Sequence, residues 1–129
     1  MNTGTPLLPG PHKPSKVQAI AIMTLVNGIL NVLWGLGVAG GLLWTVVCWP
    51  IGAYPIVLGV LEIVYASKLL SDNPGAIQPA RYLAIMEICN VLLGNVLSLV
   101  VGIVALVFYD DPEVKGYFAA LAAQPQPMN

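Results

Sequence analysis

The sequence predicts an all-α integral membrane protein of three transmembrane helices, and three observations carry that reading. Of 129 residues, 57% are apolar and only 9% charged, against about 25% charged in soluble domains. The charges are Lys13, Lys16, Glu62, Lys68, Asp72, Arg81, Glu87, Asp110, Asp111, Glu113 and Lys115, so residues 17–61 and 88–109 carry none. An apolar run of about 18 or more residues without charge is the mark of a membrane-spanning helix. The third observation is the placing of Pro, Gly, Asp and Asn clusters between those runs, where a chain has to turn. A water-soluble enzyme is excluded by this composition. The scattered basic residues form no cluster of the kind that binds nucleic acid.

The elements follow in order. Residues 1–16 hold Pro6, Pro9, Pro11 and Pro14 with Gly4 and Gly10, a composition that sustains neither helix nor ladder and reads as a disordered tail. The apolar run from Val17 is longer than the core of a cleaved secretory signal and reads as a retained span. As one helix, 17–61 would extend roughly 67 Å, about twice the hydrocarbon thickness, so it must reverse. Gly40, Gly41, Pro50 and Pro55 mark the place. The first span is about 17–40 and the second about 51–70, joined by a short apolar connection, Leu42 to Cys48, against the outer face. Ser71-Asp72-Asn73-Pro74-Gly75 is a strong turn signal. The third span is about 81–109, long enough to cross with tilt. After it, Asp111 is placed as an N-cap with Pro112 at the first helical position, and Val114, Tyr117, Phe118 and Leu121 recur at helical spacing. This predicts a short amphipathic helix on the interface, followed by a disordered tail. The organisation is thus a tail at 1–16, a transmembrane domain at 17–110, and an amphipathic helix with a tail at 111–129.

Three spans put Lys13, Lys16, Lys68 and Arg81 on one side and Lys115, beside Asp110, Asp111 and Glu113, on the other. This majority places the amino terminus in the cytoplasm of a multi-pass cell-membrane protein. Trp44, Trp49, Tyr54 and Tyr109 then form an outer aromatic belt, with Tyr65 and Tyr82 at the inner boundary.

The first and third spans are written alike. Pro14-Ser15-Lys16 precedes Ala21-Ile22-Met23-x-x-x-Asn27, and Pro79-Ala80-Arg81 precedes Ala84-Ile85-Met86-x-x-x-Asn90. Both helices begin on the same side, so they run parallel with Asn27 and Asn90 at matching depth. At 100° per residue, Thr24, Asn27, Gly28, Asn31 and Gly35 share an arc of about 100° on the first helix. Glu87, Asn90, Gly94, Asn95, Ser98 and Gly102 do so on the third, where Gly94-x-x-x-Ser98-x-x-x-Gly102 is a ridge of small residues. In the second span Gly52, Gly59 and Ala66 recur every seven residues. Small residues at these spacings admit close helix approach, and amides crossing between helices contribute about 0.6–2 kcal/mol each.

The polar stripe reads either as a packing face, within one chain or between copies, or as a hydrophilic path. The second reading rests on Glu62 and Glu87, because an ionisable group inside a span costs about 3 kcal/mol or more and marks a functional site by default. If they face each other, repulsion and burial keep at least one protonated, forming an acid–carboxylate pair or a weak cation or proton site. The plainer alternative turns each toward the cytoplasm to pair with Lys68 or Arg81.

No reaction is encoded. His12 is the only histidine and sits in the tail, Cys48 and Cys89 lie in apolar surroundings, and no nucleophile–base set, phosphate loop or metal spacing is present. The chain is read as non-enzymatic, with no cofactor and no metal. Ile22-Met23 ahead of Asn27-Gly28, the Trp49-Pro50-Ile51 entry to a Gly-containing span, and a third span opening after a basic residue with Ile85-Met86 resemble the membrane-spanning four-domain family. The resemblance covers residues 16–109, without that family's fourth span. It implies an oligomeric surface or receptor-associated protein, in some cases linked to ion flux. The chain equally resembles small multi-pass proteins of bacteria. The expected function is a structural or interaction subunit of a membrane complex, partnered by lipid and by its own copies or other membrane proteins. The alternative is an oligomeric ion or proton channel or transporter-like subunit using Glu62 and Glu87.

Overall fold

The computed structural model describes residues 10–41 and 49–124. Among them every regular element is helical: α1 (Ser15–Gly41), α2 (Trp49–Leu70), α3 (Arg81–Cys89), a 3-10 segment (Asn90–Leu93), α4 (Val96–Tyr109) and α5 (Pro112–Ala122). The expected tail at 1–9, the connection at 42–48 with Trp44 and Cys48, the side chain of Trp49, and residues 125–129 lie outside the described residues.

Helix α1 starts directly after Pro14, where the fixed proline dihedral suits a helix entrance, and runs for 27 residues, about 40 Å. Helix α2 runs for 22 residues with Pro55 inside its early turns, about 33 Å. Both are long and apolar enough to cross a membrane. They pack antiparallel because glycines on each remove the side chains that would hold them apart. A Cβ on Gly59 would stand 2.5 Å from the carbonyl oxygen of Gly28, and one on Gly28 2.8 Å from that of Gly59. Gly35 lies against Gly52 and Ile56 in the same manner, and Gly52 against Ala39. Such backbone-to-backbone approach maximises dispersion contact where apolar burial itself drives little association. The turn at 71–75 closes with the Ser71 amide and hydroxyl both donating to the Lys68 carbonyl, and Gly75 takes φ +69°.

The expected third span does not form as one helix. Helix α3 ends after 9 residues, the 3-10 segment adds 4, Gly94 takes φ +83°, and α4 restarts at Val96 for 14 residues. Each leg is about 21 Å long, short of the roughly 30 Å of a hydrocarbon core. The legs fold back on each other as a hairpin, with Gly102 so close that a Cβ there would stand 2.6 Å from the Ala84 carbonyl oxygen. Both ends of the hairpin therefore sit together: an Arg81 guanidinium NH donates to the Tyr109 carbonyl at 3.3 Å and to the Asp110 carboxylate at 2.9 Å.

Two further expectations change with it. Asp110, Asp111 and Lys115 do not lie on the side opposite to Lys16 and Arg81: Lys16 pairs with Asp111, and Arg81 and Lys115 with Asp110. Lys13 reaches the Ser71 carbonyl, so the start of α1, the end of α2, both ends of the hairpin and α5 gather at one end of the bundle. Tyr109, expected in the outer belt, instead donates its hydroxyl to that of Tyr65 at this same end.

Helix α5 is capped as expected, with the Asp111 carboxylate accepting from the Glu113 amide. Its apolar face is not laid on an interface, however. Val114, Tyr117, Phe118 and Leu121 are buried in the same cluster as Val17, Ile20, Leu69, Leu83 and Tyr109, so α5 closes the charged end. Around the bundle, Leu33, Val57, Val64, Leu92 and Val107 are more than half exposed.

Candidate functional site

Seven polar side chains are buried in the interior: Thr24, Asn27 and Asn31 on α1, Glu62 on α2, Glu87 at the end of α3, Asn90 in the 3-10 segment and Ser98 on α4. Half-buried Asn95 joins them from the break. Of the stripe residues named from sequence, the fold thus brings the two carboxyls, the four amides and Ser98 into one cluster, with Thr24 buried one turn from Asn27.

The hydrogen bonds run from the break into the α1–α2 pair. Asn27 Nδ2 donates to Glu62 Oε1 at 3.2 Å and Asn31 Nδ2 to Glu62 Oε2 at 2.9 Å. Glu62 thereby has an amide donor on each oxygen, the pattern that suits a carboxylate. The carboxyl group of Glu87 lies beside it.

Asn31 is the hub. Its Oδ1 lies 2.8 Å from Asn90 Nδ2, 2.6 Å from Asn95 Nδ2 and 2.9 Å from Ser98 Oγ. The single Ser98 hydroxyl proton also has Asn27 Oδ1 within reach at 3.1 Å. An amide oxygen has two lone pairs, so the accounting closes when Ser98 donates to Asn27 and leaves Asn31 Oδ1 to the two amides. Two acceptors remain without a donor: Glu87 Oε2 and Asn90 Oδ1, in residues 1% and 0% exposed.

None of the five basic residues reaches the cluster: every ion pair among the described residues lies at the charged end. The alternative in which Glu62 and Glu87 turn outward to Lys68 and Arg81 does not occur. Glu62 is fully buried, and Arg81 is engaged by Asp110.

The small residues divide into two groups. Gly28, Gly35, Gly52, Gly59 and Gly102 lie at close helix contacts. Gly94, read as part of a small-residue ridge, is not on a helix face. It occupies the left-handed turn between the legs, where the absence of a Cβ removes the conformational cost, with the Trp34 ring beside it. Asn95 is the N-cap of α4, its side chain accepting from the Ser98 amide at 3.2 Å. Gly-Asn followed three residues later by Ser is a stop-and-restart signal, legible in the sequence but set inside an apolar run. Tyr54, which joins the hairpin to α2 by donating to the Met86 carbonyl at 3.0 Å, carried no sequence signal beyond its aromatic character.

Cys89 is exposed and unpaired, and no group of three or more His, Cys, Asp or Glu side chains suited to a metal ion occurs among the described residues. Compared with protein-family models, with curated proteins and with solved structures, the chain matches none.

Proposed function

We propose that the protein is a multi-pass membrane protein with two spans, α1 and α2, and a re-entrant hairpin, α3–α4, and that its buried carboxyl–amide cluster binds and exchanges a small cation. All five basic residues gather at the end that α5 closes, which supports a cytoplasmic placing of that end and of the amino terminus. The hairpin then enters and leaves from the cytoplasmic face. Broken helices that meet at mid-depth beside polar side chains are a recurrent way of building ion sites in membranes.

One observation carries the reading. The Glu62–Glu87 pair is buried among amides, and no basic side chain reaches it. A purely structural or interaction role has no use for two buried carboxyls, because apolar residues of similar volume pack as well or better. Two spans and a hairpin are too few to surround a water-filled path, so a conducting form consists of several copies or of this chain with other membrane proteins.

The test is cation or proton flux into liposomes containing the purified protein. Glu62→Gln and Glu87→Gln are expected to abolish flux while leaving the oligomeric state seen by native mass spectrometry unchanged. Wild-type flux no greater than that of empty liposomes sinks the proposal.

A further inference from the structure

Lys13 and Asp72 line one cavity with opposite charges and make no ion pair with each other. The ion pairs among the described residues are Lys16–Asp111, Arg81–Asp110 and Lys115–Asp110, so neither Lys13 nor Asp72 belongs to one. The cavity, of about 350 Å³, is lined by His12 and Lys13 from the stretch before α1, Asp72 from the turn after α2, Gln124 beyond α5, and the apolar Leu70 and Tyr117. Its volume suits a small organic ligand, for which sites run from about 300 to 1,000 Å³. Lys13 is held in place by donating to the Ser71 carbonyl at 3.0 Å, which uses one of the three N–H groups of its ammonium. At Gly10 a Cβ would stand 3.6 Å from the Asp72 carbonyl oxygen and 4.0 Å from the Gln124 amide nitrogen, so three segments distant in sequence converge on the cavity.

Leu70 is the last residue of α2, and Lys13 stands two residues before the first of α1. The cavity therefore lies where both helices leave the hydrocarbon core, in the layer of lipid headgroups. We infer that it binds the headgroup of a phospholipid that ends in a primary amine, phosphoethanolamine in type, from the leaflet at the charged end. This rests on the membrane placing of α1 and α2 under Proposed function and not on the cation site. The Lys13 ammonium takes the phosphate, with N–H donors of His12 and Gln124 beside it, and the Asp72 carboxylate takes the ammonium, in charge-assisted hydrogen bonds. A choline headgroup offers Asp72 no N–H donor, and a glycerol headgroup offers it no positive charge. The separated pair of opposite charges thus selects the amine.

The experiment is native mass spectrometry of the full-length protein in mild detergent, titrated with phosphatidylethanolamine, phosphatidylcholine or phosphatidylglycerol of the same acyl chains. One saturable phosphatidylethanolamine per chain is expected, bound about tenfold more tightly than either other lipid. Asp72→Asn, which keeps the shape of an exposed side chain, is expected to bring phosphatidylethanolamine down to the level of phosphatidylcholine while leaving phosphatidylglycerol no weaker. Lys13→Ala is expected to weaken all three about tenfold, and Lys68→Ala, exposed at the same end but outside the cavity, to change none. Equal binding of the three lipids by the wild-type protein overturns the inference. So does a preference that Asp72→Asn and Lys13→Ala both retain. Soluble glycerophosphoethanolamine binding as tightly as the lipid overturns the lipid as its source. Protein that stays in solution without detergent removes the membrane placing and this inference together, whereas flux in liposomes without any lipid preference removes this inference alone.

Discussion

Helices α1 and α2 meet backbone to backbone at Gly28–Gly59 and Gly35–Gly52, whereas the α3–α4 hairpin is tied to them through amides and hydroxyls that converge on Asn31 and through the Glu62–Glu87 contact. Gly102 gives the hairpin one backbone approach of its own, between its two legs. The two regions differ in tolerance accordingly. Glycine contacts fail sterically and at once when a side chain is added. A polar network fails in proportion to the bonds removed, and can rearrange or take up an ion.

The largest effect separating the two regions is expected from Gly59→Leu. Its Cβ would meet the Gly28 carbonyl oxygen and the Val32 backbone nitrogen, neither of which can swing aside, so the cost is about 3 kcal/mol or more and a monodisperse folded protein is not recovered from detergent. Gly37→Leu is the control, since nothing lies within 4 Å of a Cβ there, and it is expected to behave as wild type. Equal behaviour of the two would mean that α1 and α2 are not held by backbone approach.

A smaller effect is expected from Asn31→Leu, which removes the donor to Glu62 and the acceptor for Asn90 and Asn95. The loss is about 2–3 kcal/mol. It should fall unevenly, with hydrogen exchange rising across residues 90–98 and little across the α1–α2 contact. Uniform acceleration would show the hairpin and the helix pair to be one cooperative unit.

The smallest effect concerns the charged end. Arg81 and Lys115 hold the Asp110 carboxyl below the usual aspartate range, and Lys16 does the same for Asp111. A carboxyl lowered on folding stabilises the folded form above its ordinary value near pH 4 and loses that contribution as pH falls through the lowered value. Helix α5 is thus expected to loosen below about pH 4, seen as faster exchange of the amides in 112–122 while α1 and α2 stay protected. Unchanged protection of α5 at pH 2 would show that its apolar face alone holds it.

Much of the architecture was legible in the sequence because it is local. The apolar lengths of α1 and α2, the turn at 71–75, and the capped α5 with Val114, Tyr117, Phe118 and Leu121 on one face all follow from spacing and turn chemistry within a few residues. The polar stripe was visible as well, because Asn27, Asn31, Glu62, Glu87, Asn90 and Ser98 recur at helical spacing amid apolar residues. Their partners were not. Pairing Asn31 with Asn90, Asn95 and Ser98 requires knowing that residues 90–98 pass beside α1.

What the residues determined alone is which segments are apolar enough to leave water and where charge must stay at a surface. What only the tertiary structure decided is the course of residues 81–109. An apolar stretch of that length suits one tilted pass or two short legs equally, since hydropathy measures depth and not direction. Gly94 and Asn95 allow a break without requiring it. The break is favoured because it carries Asn90, Asn95 and Ser98 onto Asn31 and Glu87 onto Glu62, and brings Arg81 back to Asp110. Those contacts lie between elements distant in sequence, and their energies are absent from any local pattern.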